Sequence, residues 1–83
     1  MDTYAWILYL QGRPEEAKPY FKHAMLHGGK DSVVILDHYA EVLFALKEYD
    51  LAMVYWTQAS MKNNNEIPDL DRRIKERKAA MGK

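Results

Sequence analysis

Two histidines stand at a spacing that could hold a metal ion. His23 and His27 lie four residues apart, so that one face of a helix would present both imidazoles. No third ligand or acidic partner is adjacent in the sequence. Gly28 follows directly and is a residue type that ends helices, and a helix C-terminus favours a positively charged imidazole. We interpret the histidines as a surface pair and predict neither a metal site nor any other cofactor.

The patterns that accompany catalysis are missing from the sequence. There is no glycine-rich phosphate loop, no G-x-S-x-G motif, no H-E-x-x-H motif and no cysteine nucleophile. Carboxylates are frequent, but they are spread as on any helical surface, and no pair is placed in an evident cleft. The chain is therefore predicted not to be an enzyme and to have no small-molecule substrate.

Positive charge is concentrated near the C-terminus, in a run that comprises Arg72, Arg73, Lys75, Arg77 and Lys78. On a helix these side chains point in several directions, and no aromatic residue is interleaved with them. Over the whole chain, 12 Lys and Arg balance 12 Asp and Glu. Binding to nucleic acid or another polyanion needs a continuous basic face. We interpret the run as a solvated surface, and polyanion binding by this C-terminal segment stays the alternative function.

Length and composition indicate one small folded domain over residues 1–83. Hydrophobic residues make up 48% of the 83 residues, which excludes a disordered chain. The absence of cysteine excludes a disulfide framework, so the core must depend on packing. The longest apolar run, residues 4–10, is far shorter than the roughly 20 residues that cross a bilayer, and no membrane insertion is expected.

An internal repeat organises most of the chain. A shift of 35 residues superimposes identical residues at seven positions of the first copy, namely Asp2, Tyr4, Ala5, Leu8, Ala17, Tyr20 and Ala24. In the second copy apolar residues recur every three or four positions, which is the stripe of an amphipathic helix. Residues 4–10 alone could form a buried strand, but their alignment with that copy favours a helix.

The sequence therefore predicts an all-α protein without strands. Helices are expected over residues 2–11, 14–27, 32–46, 49–62 and 67–81, with Pro19 on the outer face of the second. The first repeat spans about 1–31, the second about 32–65, and the last helix about 66–83. This last helix is charged on most sides and carries one apolar stripe, as a terminal helix of a repeat array does.

The repeat resembles a known family. Both copies contain the pattern A-x-x-x-aromatic-x-x-A, as Ala17, Phe21 and Ala24 and again as Ala52, Trp56 and Ala59. This pattern, at a period near 34 residues, is similar to that of the tetratricopeptide repeat. The resemblance implies an α-α superhelix of two helix-turn-helix units and a C-terminal capping helix. It also places the chain at the C-terminal repeats of a longer, bacterial repeat protein.

The resemblance implies a non-catalytic, protein-binding function. In this family the first helices of successive repeats line a concave groove that takes a peptide or a partner helix. Carried over to this sequence, the groove residues are Asp2, Trp6, Tyr9, Asp37, Glu41, Phe44, Arg72 and Lys75. The acidic strip at Asp37 and Glu41 would suit a basic and apolar ligand. Trp6 fits a second interpretation equally well, that of packing on a preceding repeat.

Two local expectations come from the alignment of the copies. Lys47 occupies the position of the turn residue Gly12, so its backbone is expected to be left-handed. The first helix begins later than its counterpart, so Tyr4, Trp6 and Ile7 are expected to be partly uncovered. Such an apolar surface predicts weak self-association.

Overall fold

Five α-helices make up the part of the chain that the computed structural model describes, which is residues 2–82 with side chains from residue 3 onward. They are α1 (Asp2–Leu10), α2 (Pro14–Leu26), α3 (Val33–Ala45), α4 (Tyr49–Lys62) and α5 (Leu70–Met81), with a short 3₁₀ helix at Gly29–Asp31. No strand occurs in these residues. The all-α prediction is confirmed. The largest boundary difference is the start of α5, which lies at residue 70 rather than 67.

Small residues allow the helices of each hairpin to approach closely. Ala5 of α1 and Ala17 of α2 are fully buried, and Ala40 of α3 and Ala52 of α4 repeat this arrangement. The space beside the alanines is filled by two large aromatic side chains, Phe21 and Trp56. Helix α2 also packs against α3, so the two hairpins share one core.

Tyr39 connects the two hairpins. Its ring stacks on Phe21 of the first hairpin, with ring centroids 6.0 Å apart, and meets Tyr55 of the second at 4.8 Å. Only 3% of the residue is exposed. Burial, together with the nearby Tyr55 and Glu48, raises the pKa of the Tyr39 hydroxyl to about 12. The hydroxyl is therefore protonated at neutral pH.

Local sequence determines where the helices begin. Ser32 precedes α3 and its hydroxyl accepts a hydrogen bond from the Ile35 N–H at 3.2 Å, which is the role of an N-cap. Pro14 occupies the first position of α2, where its missing N–H costs nothing. Pro19 lies inside α2 and is exposed, as expected for a proline on an outer face.

The turns of the two hairpins have the same backbone geometry. The N–H of Arg13 donates to the Leu8 carbonyl at 2.9 Å, and the N–H of Glu48 donates to the Leu43 carbonyl at the same distance. These are equivalent positions of the repeat. Gly12 has a φ of 77° and Lys47 has a φ of 65°, which confirms the left-handed backbone expected at Lys47.

Replacement of Lys47 by glycine should stabilise the chain by up to about 1 kcal/mol, because a left-handed backbone brings the lysine Cβ close to a backbone oxygen. The free energy of unfolding from urea titration measures the gain. Lys47→Ala is the matched control, since it removes the charge and the long side chain but keeps the Cβ. An equal gain from both substitutions would show that backbone strain is not the cause.

The late start of α5 has a local cause. The Asn63 side chain donates to the Ile67 carbonyl at 2.8 Å and accepts from the Ile67 N–H at 3.1 Å. Ile67 is thereby held in the loop, and Pro68 disfavours helical backbone angles at Ile67, the residue before it. Asn65, in the same loop, adopts a φ of 62°. The helix can start only after this compact turn.

Candidate functional site

Two buried carboxylates of α3 and two half-buried arginines of α5 form an ion-pair network. The Arg73 guanidinium donates to both oxygens of Asp37 at 2.9 Å and to Glu41 Oε2 at 2.7 Å. Arg77 Nε donates to Glu41 Oε1 at 3.1 Å. Asp37 and Glu41 are 3% and 5% exposed, respectively. We call these four residues the acid–arginine network.

The network has a fifth partner in the core. The indole Nε1 of Trp56 donates to Asp37 Oδ1 at 2.8 Å, and Trp56 itself is fully buried. Hydrogen bonds to Asp37 hold the pKa of the Arg73 guanidinium above its ordinary value, against the opposing effect of burial. Among the described residues, every buried side-chain nitrogen and oxygen has a hydrogen-bond partner. The network is thus satisfied internally.

The expected acidic strip is not open to a ligand. Asp37 and Glu41 were expected to line a groove and to attract basic residues of a partner, but α5 covers them and neutralises both. Asp2 begins α1, and its side chain lies outside the part that the structure describes. The prediction of a free acidic surface at Asp37 and Glu41 is wrong, because the basic partner comes from the chain itself.

The two α5 residues expected in the groove are not part of the acid–arginine network. Arg72 is exposed and pairs within its own segment, with Asp69 at 3.2 Å and Glu76 at 3.0 Å. Lys75 is also exposed and lines a cavity of about 370 Å³ between α4 and α5. Their assignment as partner-binding residues stays a prediction, whereas Arg73 and Arg77 make the contacts with α3.

Aromatic side chains of α1 and α3 lie together beside the network. The Trp6 ring stacks on His38 with centroids 3.7 Å apart and on Tyr9 at 4.6 Å. Phe44 lies under the Arg77 guanidinium, which is 5.3 Å from the ring centroid, a cation–π distance. All four aromatic residues are half-buried. We call Trp6, Tyr9, His38 and Phe44 the aromatic surface.

Tyr9 joins the aromatic surface to the acid–arginine network. Burial raises the pKa of its hydroxyl, and the charge of Glu41 adds to this effect. The positive charges of Arg77 and Arg73 lower this pKa, so the Tyr9 hydroxyl interacts electrostatically with both the acidic and the basic residues of the network. The structure therefore brings three of the expected groove residues, Trp6, Tyr9 and Phe44, to one side of the molecule.

Sequence reasoning missed Arg73, Arg77 and the ring contact of His38. A signal for the arginines was present in their spacing. Asp37 and Glu41 stand four apart on one helix, and Arg73 and Arg77 stand four apart on another. Two facing helices can pair such residues turn by turn. No comparable signal in the sequence identified the ring contact of His38 with Trp6.

The histidines near the end of α2 have rings 4.3 Å apart and are exposed, as a surface pair would be. Within residues 2–82 no group of three or more potential metal ligands comes together. No helix in this part of the chain has the length and apolar character needed to span a membrane.

Comparison with known proteins adds no relative. Neither the protein-family models nor the curated proteins nor the solved structures gave a match to this chain. Interpretation of the site therefore depends on its own geometry and on the internal repeat.

Proposed function

We propose that this chain is a non-catalytic protein-binding module of tetratricopeptide type, and that its aromatic surface binds an apolar segment of a partner peptide or helix. The observation that carries the proposal is the position of Trp6, Tyr9 and Phe44. These large aromatic rings are only half-buried, and they lie on neighbouring first helices of the two hairpins. Aromatic residues and arginine are the types that dominate binding surfaces.

The chemistry of the surface favours an apolar ligand over a basic one. Asp37 and Glu41 each have an arginine partner, so the site carries no uncompensated negative charge in its described residues. A basic ligand would have to displace Arg73 or Arg77. An aliphatic or aromatic side chain would instead cover the Trp6 and Tyr9 rings and remove apolar area from water.

Polyanion binding by α5 is less well supported. Arg73 and Arg77 are engaged with carboxylates, and Arg72 has two acidic partners of its own. Among the residues that the structure describes, Lys75 and Lys78 are the α5 cations without an ion pair. A phosphate backbone needs a longer row of charges. Retention on heparin that weakens steeply with salt would favour this alternative.

Trp6→Ala should weaken the binding of selected peptides about 10- to 30-fold, the loss typical of an interface aromatic. Peptides are selected from a random phage-displayed library on the parent chain, and their affinity is measured by fluorescence polarisation. We expect the selected sequences to be rich in Leu, Phe and Trp. Leu26→Ala is the control, because Leu26 is 79% exposed on α2 and does not belong to the aromatic surface.

The two tryptophans provide a second readout. Trp56 is fully buried and Trp6 is not, so iodide should quench Trp6 selectively. A bound peptide should protect Trp6 from iodide. The proposal would be contradicted if the selected peptides bound the Trp6→Ala and Leu26→Ala variants equally well and did not protect Trp6 of the parent chain from iodide. Binding would then take place at another surface.

A further inference from the structure

The outer side of α1 is an uncovered apolar face. Tyr4, Ile7 and Leu10 follow one another at three-residue intervals and are 54%, 45% and 66% exposed. Thr3 is the other exposed residue of this side, and none of the four is charged. We call Thr3, Tyr4, Ile7 and Leu10 the α1 end face. The partial exposure expected for Tyr4 and Ile7 is confirmed, whereas Trp6 lies in the aromatic surface.

The repeat shows that two residues of this face, Tyr4 and Ile7, correspond to interior positions. A shift of 35 residues places Tyr4 on Tyr39 and Ile7 on Val42. Tyr39 and Val42 are 3% and 0% exposed. They are covered because the first hairpin packs against α3. In the described residues, nothing covers the α1 end face in the same way.

The contacts between aromatic rings also differ between Tyr4 and its equivalent in the second copy, Tyr39. Tyr39 meets Tyr55 of its own hairpin, just as Tyr4 meets Tyr20 in an edge-on contact at 5.1 Å. Tyr39 has an additional contact with Phe21, which belongs to the preceding hairpin. The contact missing at Tyr4 is thus the one that another helical hairpin supplies.

Charge decides which hairpin can cover the α1 end face. The opposite end of the molecule exposes Asp71, Arg72, Lys75, Glu76 and Lys78 of α5. A head-to-tail contact would remove these charges from water against apolar side chains, which is costly. The four residues that two α1 end faces would bring into contact are all uncharged. We infer that the occupant is a second copy of this chain, with α1 packed on α1 in a closed, two-fold dimer.

The dimer should be weak. One face of a nine-residue helix provides less than the roughly 1,600 Å² of a standard stable interface. Self-association is therefore expected only at high protein concentration, and the α1 end face does not overlap the aromatic surface. Dimer formation and peptide binding can accordingly be tested separately.

Cysteine cross-linking tests the symmetry directly, because the chain contains no native cysteine. In a two-fold contact, Ile7 of one copy lies near Ile7 of the other. Ile7→Cys should therefore form a covalent dimer under mild oxidation or with a short bis-maleimide. Met61→Cys is the control, since Met61 is 81% exposed on α4 and lies outside the α1 end face. Equal cross-linking of both variants would overturn the inference.

Sedimentation equilibrium tests the surface without a cross-link. Ile7→Lys with Leu10→Lys should raise the dimer dissociation constant at least about tenfold. Leu26→Lys with Met61→Lys changes two more exposed apolar residues and should leave the constant unchanged. Circular dichroism checks that both variants are folded.

The parent chain must itself dimerise, and its weight-average mass should level off at two chains. A mass that continues to rise would indicate head-to-tail stacking and would overturn the two-fold arrangement. A parent that stays monomeric at all accessible concentrations would overturn the choice of a second copy as the occupant.

Discussion

Glu41→Lys should lower the free energy of unfolding by at least about 3–5 kcal/mol, the usual cost of leaving a buried charge without its partner. Glu41 is 5% exposed and accepts hydrogen bonds from both Arg73 and Arg77. A lysine in its place would bring a third positive charge against two arginines. A domain of this length has a total stability of about 4–12 kcal/mol, so the variant should lose a large fraction of its stability.

The measurement is urea titration followed by circular dichroism at 222 nm. Glu66→Lys is the matched control, because it makes the same charge change at an exposed position in the loop before α5. Its effect should stay within about 0.5 kcal/mol, as is usual at the surface. If Glu41→Lys and Glu66→Lys changed the free energy of unfolding by the same amount, α5 would not be docked on α3 as the structure has it.

The sequence alone predicts a different result. Because Glu41 and Phe44 lie off the repeating stripe of α3, it predicts that Glu41→Lys with Phe44→Ala weakens partner binding and leaves the melting temperature unchanged. The stripe describes only how the two hairpins pack. Burial of Glu41 comes from α5, which the repeat does not include. A binding defect in that double variant would therefore reflect loss of structure.

Features that depend on neighbouring residues could be predicted from the sequence. The periodicity of apolar residues placed all five helices. The alignment of Lys47 with Gly12 predicted a left-handed turn residue, because the two copies fold by the same local rules.

Features that depend on the placement of α5 could not be predicted in the same way. The face that α5 turns towards α3 depends on how this helix docks, which the repeat does not describe. Arg72 and Lys75 were carried over from the family resemblance, whereas Arg73 and Arg77 make the contacts with Asp37 and Glu41.

Trp56→Ala should lower the free energy of unfolding by about 3–5 kcal/mol, because it opens a cavity where α4 meets α3. Trp56 is fully buried, is the largest side chain in the core, and lies 5.9 Å from the Phe44 ring. Its indole also donates to Asp37, so the substitution removes one hydrogen bond from a buried carboxylate. Urea titration gives the change directly.

Trp56→Phe separates the two contributions. It keeps most of the apolar volume but loses the indole N–H, and Asp37 still accepts two hydrogen bonds from Arg73. We expect a loss of about 1.5–3 kcal/mol from this variant, the cost of a hydrogen bond to a charged group. Trp6→Ala is the matched control for loss of an indole at a half-buried position, and its effect on stability should be smaller than that of Trp56→Ala. If Trp56→Phe were as destabilising as Trp56→Ala, the hydrogen bond to Asp37 would outweigh packing, and the acid–arginine network would be the dominant contact between α4, α3 and α5.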